Sequence, residues 1–100
     1  MNKVVAHGIG DVAVSTLVTV RGTIRATRVL PVGRGVAFDA TLADDTGTLE
    51  LLFLGRTAIA GIEPGARCAV DGRATTRDGA VVMWNPRFEL IGRASCRERV

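Results

Sequence analysis

The sequence predicts an all-β fold: a five-stranded barrel with a short helix between the third and fourth strands. Two observations carry that expectation. Residues 18–27 alternate strictly between apolar or small side chains (Val18, Val20, Gly22, Ile24, Ala26) and polar ones (Thr19, Arg21, Thr23, Arg25, Thr27), the two-residue period of a half-buried strand. Residues 44–56 then run from Asp44-Asp45-Thr46-Gly47 through an apolar stretch to Gly55-Arg56, which gives a tight turn, a strand and the start of a short helical segment.

The elements follow in order along the chain. Residues 1–16 have no clear period, with Gly8 and Gly10 around Ile9, and form a lead-in that is either an edge strand or one helical turn. The first strand starts at Leu17. Gly22 in its middle removes a side chain where a coiled strand must bend, so a bulge or kink is expected there. Pro31-Val32-Gly33-Arg34-Gly35 breaks the run, and Val36, Phe38, Ala40 and Leu42 alternate in a second strand. The Asp side chains and the glycine of Asp44-Asp45-Thr46-Gly47 suit a tight hairpin into the third strand, where Leu49, Leu51 and Phe53 face the core. Leu52 and Leu54 on the opposite face suggest cover from the segment that follows.

That segment, Arg56 to Ile62, places Ile59 and Ile62 three apart and ends at Glu63-Pro64-Gly65, which predicts one or two turns of helix. A fourth strand spans Arg67 to Thr75. Arg77-Asp78-Gly79 turns the chain into a fifth, Ala80 to Trp84, which Asn85-Pro86 interrupts. Phe88 and Leu90 can still pack against the barrel end. The expected organisation is therefore a lead-in (1–16), a barrel domain (17–90) and a tail (91–100).

The tail matters for charge. Ile91 to Val100 resembles a translated sequencing adapter and lacks apolar periodicity. The whole chain of 100 residues carries a formal charge of +3 with pI near 9.7, but setting aside Arg93, Arg97, Arg99 and Glu98 leaves ten basic and nine acidic residues over 1–90. Global charge thus gives no reason to expect a polyanionic partner, and only the placement of the arginines can. Cys96 leaves with the tail, so Cys68 stands alone as a small buried hydrophobe rather than half of a disulfide. The chain has no apolar run of 18 residues, and Val4-Val5-Ala6 is too short for a secretory signal, which makes a cytoplasmic location the expectation and a membrane partner not.

Val18 to Ile24, Asp44 to Gly47, Phe53 to Arg56, Gly61 to Gly65, Asp71-Gly72-Arg73 and Trp84-Asn85-Pro86, in that order and spacing, resemble the OB-fold. Within it they are most similar to small actinobacterial proteins described as nucleic-acid-binding, and more distantly to the wedge barrel of RecG-type helicases and the anticodon-binding barrels of aminoacyl-tRNA synthetases. The resemblance implies a ligand lying across strands two and three, bordered by the loop joining strands one and two and the loop joining four and five. Those loops carry Arg34 and Arg77. Arg21, Arg25 and Arg73, with Arg28 near the first loop, would extend the basic surface, since guanidinium groups pair with phosphate and stack on bases. The expected partner is single-stranded DNA or RNA, bound weakly or with assistance. Trp84 is the residue offered for stacking, although a tryptophan on a closing strand is also at home in a core.

The same arginines could instead be surface residues paired with Asp39, Glu50 or Asp71, in which case a protein-interaction or scaffold barrel is the alternative. Catalysis is not expected. His7 and Asp11 lie on the irregular lead-in, Asp44 and Asp45 are consecutive turn residues, and no glycine-rich phosphate loop or spaced Cys/His set occurs, so no cofactor or metal is called for.

Overall fold

The computed structural model describes residues 4–5, 8–11 and 17–93. A two-residue strand β1 (Val4–Val5) and a 3-10 turn (Ile9–Asp11) precede β2 (Leu17–Val32), β3 (Gly35–Asp44), β4 (Gly47–Leu54), β5 (Ala66–Arg77), β6 (Ala80–Trp84) and β7 (Arg87–Arg93). The sheet order is β1-β2-β3-β4-β6-β5-β7, and an additional β2–β5 pairing closes β2-β3-β4-β6-β5 into a ring. Within the ring β4 and β6 are parallel and the other neighbours antiparallel. The lead-in therefore holds both a strand edge, Val4 against Val18, and one helical turn.

Closure depends on β2, which pairs with β5 over Leu17–Thr23 and with β3 over Thr23–Val32. A strand that serves two partners must coil sharply where it changes them. The expected break at Gly22 falls instead three residues later: the β2–β3 register shifts between Ile24 and Ala26, which leaves Arg25 as the extra residue of a bulge. Gly22 has a different task. A Cβ there would lie 2.8 Å from the Ala43 carbonyl oxygen and 2.9 Å from Leu42 Cγ, so the missing side chain is what lets β3 approach as β2 turns.

The bulge also reverses the alternation. Before it, Val18, Val20 and Ile24 point into the barrel; after it, Ala26 pairs with Thr41 and Arg28 with Asp39 on the outer surface. Ile24, Leu42, Leu49, Leu51, Val70 and Met83 are among the side chains that fill the interior at 1% exposure or less. Cys68 is buried and unbridged, and desolvation pushes its thiol up to about 11. Phe53 meets Phe88 edge-on at 5.8 Å, which makes Phe88 the partly exposed cover of the barrel end that its position suggested.

Two expectations fail in the connector between β4 and β5. Residues 55–65 contain no helix; the Ile62 amide donates to the Ile59 carbonyl at 3.0 Å and the Ala66 amide to the Glu63 carbonyl at 3.0 Å, closing two separate turns. Seven residues are too few to offset helix nucleation, and Gly55 and Gly61 adopt φ of +75° and +87°, outside helical space. The three-residue spacing instead lets Ile62 plug the core while Ile59 packs beside it. Nor does this segment cover both outward leucines of β4: Leu52 is fully buried, beneath other neighbours, and Leu54 stays 47% exposed.

Asn85 explains how β6 can end and β7 begin within three residues. Its backbone takes φ of +52°, tolerable for asparagine, its amide donates to the Leu52 carbonyl at 2.6 Å, and its Oδ1 accepts from the Leu54 amide at 2.9 Å. β7 then pairs with β5 from Asp71–Arg87 to Ala66–Arg93, three residues beyond the expected end of the barrel domain. His7 lies outside the described residues, as do the Asp11 side chain and Cys96.

Candidate nucleic-acid interface

The outer surface of β3, β4 and β6 is organised by register. Arg28 pairs with Asp39, Asp39 with Leu52 and Leu52 with Trp84, so these four residues form one row across the sheet, about 14 Å from first to last at the usual strand spacing. The neighbouring row is Ala26, Thr41, Glu50, Val82 and Thr75, and on the other side Leu30 and Ala37 lead to Leu54.

This outer surface has its own apolar cluster. Ala37, Leu52 and Val82 are buried, with Leu30, Val32 and Trp84 packed against them. Trp84 is therefore half-buried, but in the outer cluster and not in the barrel interior. Leu30 and Val32 reach it only because β2 runs past the barrel as one arm of a long hairpin, whose turn at Gly33-Arg34 is made by a glycine at φ +56°.

The charge at the centre of the face is taken up within the fold. Asp39 is 1% exposed and its Oδ2 accepts from Arg28 Nε at 2.8 Å; the Asp39 hydrogen bond and charge raise the Arg28 guanidinium above its ordinary value, with a smaller contribution from Glu50. Asp39 Oδ1 is buried with no hydrogen-bond partner among the described residues. Arg28 is itself 62% exposed and keeps its remaining N–H donors toward solvent. One arginine thus stands beside two carboxylates, so the middle of the face is not basic.

The two loops flank the face from opposite ends of the strands. The β2–β3 turn leaves β3 at Gly35, whereas the β5–β6 turn reaches Ala80, level with Thr48 and hence Ala43; between Gly35 and Ala43 a strand advances roughly 27 Å. Arg34 is exposed at the first tip. Asp78 and Gly79, at φ of +54° and +85°, form the primed turn at the second, where Arg77 Nη1 lies 4.0 Å from Asp78 Oδ2. Arg73 is one residue beyond the last β5–β6 pair, at the level of Trp84.

The remaining two sequence-predicted residues belong elsewhere. Arg21 pairs with Ala69 of β5 and lines an open groove of about 490 Å³ with Thr23, Asp44, Asp45 and Arg67. Arg25, in the bulge, lines an adjoining groove of about 390 Å³ that shares Thr23, Ala43, Asp44 and Asp45. Arg67 is a residue that the sequence does not single out. Alternation places it on the outer surface, but only the Thr23–Arg67 pairing brings it to Arg21.

The β3–β4 turn beside these grooves is held by Asp44. Its Oδ1 accepts from the Thr46 amide at 2.7 Å, the Thr46 hydroxyl at 2.6 Å and the Gly47 amide at 3.2 Å, and its Oδ2 accepts from the Ile9 amide at 2.9 Å. Thr46 Oγ1 in turn accepts from the Gly10 amide at 2.8 Å. These donors, the Thr46 side chain first, hold the Asp44 carboxyl down at about 2.

Comparison with known proteins places the fold. The chain is similar to the OB domain of Ta0387 from Thermoplasma acidophilum, solved by solution NMR, with a TM-score of 0.67 and 19% identity over 91% of this chain and 88% of that one. It is also similar to the crystal structure of the p204 HINb domain, with a TM-score of 0.64 and 19% identity over 84% of this chain and 46% of that one. No family model and no curated protein matches the sequence. The ring order, the parallel β4–β6 pair and the Ta0387 OB domain together establish the five-stranded OB-fold.

Proposed function

We propose that this OB-fold chain is a non-catalytic module that binds single-stranded nucleic acid across the outer surface of β3, β4 and β6. The observation that carries the reading is the Arg28–Asp39–Leu52–Trp84 row, set between a hairpin tip bearing Arg34 and a turn beginning at Arg77. This is the face, and these are the loops, that OB-folds most often use for oligonucleotides and oligosaccharides. Leu30, Val32 and Trp84 offer apolar surface for bases, and the loop arginines offer donors to phosphates. With the centre of the face uncharged or slightly acidic, affinity rests on few phosphate contacts. Three such contacts correspond to a salt slope of about −2 for a single strand.

Trp84 is the only tryptophan, so its fluorescence reports the face directly. The chain ended at Arg93, where β7 ends, is titrated with labelled single-stranded DNA and RNA at several salt concentrations. Binding with quenched Trp84 emission, weakened when Arg34 and Arg77 are both changed to alanine, supports the reading; no binding at low salt rejects it.

A protein-interaction barrel is the second reading. It is favoured by the Arg28–Asp39 pair, which neutralises the centre of the face, and by the exposed Val29, Val36 and Leu54 around the hairpin arm. A stoichiometric protein partner that survives nuclease treatment would support it, and recovery of nucleic acid alone would exclude it.

A further inference from the structure

Arg21, Arg25 and Arg67 stand apart from that face, and among the described residues none of the three side chains makes a hydrogen bond or ion pair. Arg21 and Arg67 are diagonal neighbours across the β2–β5 pair, since Arg21 opposes Ala69 and Thr23 opposes Arg67, which sets their Cβ atoms roughly 7 Å apart. Arg25 joins them because the bulge inserts it beside Thr23, on the adjoining groove with the same Thr23–Asp44–Asp45 lining. Three arginines thus flank Thr23 on two adjoining grooves at the point where β2 changes partners.

Two carboxylates line the same grooves, yet they do not satisfy these arginines. Asp44 is turned into its own hairpin, where four donors occupy it. Asp45 is exposed beside it. Three positive groups against two negative ones leave the groove net positive, with its guanidinium donors open. Like charges only partly offset by neighbouring acids still repel, and a tetrahedral oxyanion relieves that repulsion while accepting from more than one guanidinium.

We propose that the groove formed by Arg21, Arg25 and Arg67 around Thr23 is a phosphate-binding site, separate from the β3–β4–β6 face. Its ligand is a phosphate group, carried either by a polynucleotide backbone or by a small phosphorylated molecule. The site does not depend on the face: each can exist without the other.

The test follows the arginine Nε–Hε NMR signals of the full chain at about 50 mM salt, low enough to keep electrostatic contacts strong, during addition of inorganic phosphate, pyrophosphate or a short oligothymidylate. Saturable shifts at Arg21, Arg25 and Arg67, with little change at exposed Arg56, are expected. Changing Arg21 and Arg67 together to glutamine should weaken the Arg25 response about tenfold or more, as loss of charge-assisted hydrogen bonds does. Saturation by phosphate or pyrophosphate identifies a small phosphorylated ligand, and saturation by the oligonucleotide alone identifies a backbone phosphate; both support the site. It is overturned if no probe shifts the three arginines, if Arg56 shifts equally, or if the Arg25 response is unchanged in the double variant. Trp84 fluorescence recorded in the same titrations reports the other face, so failure of one site is separable from failure of the other.

Discussion

The outer face of β3–β4–β6 and the arginine groove on β2–β5 solve opposite problems with the same residue type. On the face, Arg28 is bonded to a buried carboxylate, and Leu52 and Trp84 belong to an apolar cluster, so the surface is finished before any ligand arrives. In the groove, Arg21, Arg25 and Arg67 sit on open strand positions, and of the two acids that line it Asp44 is spent on a turn and Asp45 makes no ion pair with them among the described residues. Arginine by itself therefore does not mark a binding surface. What distinguishes the two is whether the folded chain has already supplied the counter-charge.

Removing the floor of the face should produce the largest effect. Leu52 is fully buried although it points away from the barrel interior, and Leu52→Ala should cost about 3 kcal/mol in denaturant unfolding. Trp84 emission should shift to the red as its ring loses that contact, while the Arg21 and Arg67 signals stay in place. Equal perturbation of both regions would show that the outer cluster is not a separate unit.

Gly22 joins the two regions, since it lies one residue before Thr23, where β2 passes from β5 to β3. Gly22→Ala puts a methyl group within 3 Å of the Ala43 carbonyl oxygen and Leu42 Cγ, and should cost about 2 kcal/mol by overpacking. The backbone amide shifts should spread into both β3 and β5. Confinement to β2 would mean that the strand relaxes without its partners.

The arginines themselves should diverge. Arg28→Ala takes the Nε donor from the buried Asp39 carboxylate, so the unfolding midpoint falls, and adding Asp39→Asn should recover part of the loss. Arg67→Ala, by contrast, removes one charge from a cluster of three, and stability should change by no more than about 0.5 kcal/mol. A double-mutant cycle in urea measures both. Matching losses at Arg28 and Arg67 would erase the distinction between a paired and an open arginine.

The strands and turns are legible in the sequence because alternation and turn chemistry are local. β6 and the Asp78-Gly79 turn fall where the residues place them, and β2, β3, β4 and β5 differ from expectation only near their ends. The bulge at Arg25 is not legible, since one extra residue leaves no compositional mark, yet it reverses the facing of everything from Ala26 onward. Ile59 and Ile62 mislead for a related reason: a three-residue spacing fits one turn as well as a helix. The candidate site suffers most. Alternation tells which arginines face outward but not which strands are neighbours, so it groups Arg21 and Arg25 with Arg28 and passes over Arg67, which only the β2–β5 register sets beside Arg21.

The smallest effect concerns Asp44, the acid that borders the groove without serving it. Its carboxyl is lowered from 3.8 to about 2 by hydrogen bonds made in the folded chain, from the Thr46 hydroxyl and the amides of Ile9, Thr46 and Gly47. A depressed folded value means that the ionised form is the one the fold prefers. The stabilisation is then complete above the unfolded value near 4 and is lost as pH falls through about 2. Unfolding midpoints between pH 5 and 2 should decline, and Asp44→Asn should flatten the lower part of that decline. Because Oδ2 holds the Ile9 amide, protection of that amide from hydrogen exchange should fade over the same interval, before β2 and β5 lose theirs. If instead the Arg21 and Arg67 signals follow the Asp44 titration, the carboxylate is coupled to the groove after all, and those arginines have a counter-charge in the fold just as Arg28 does.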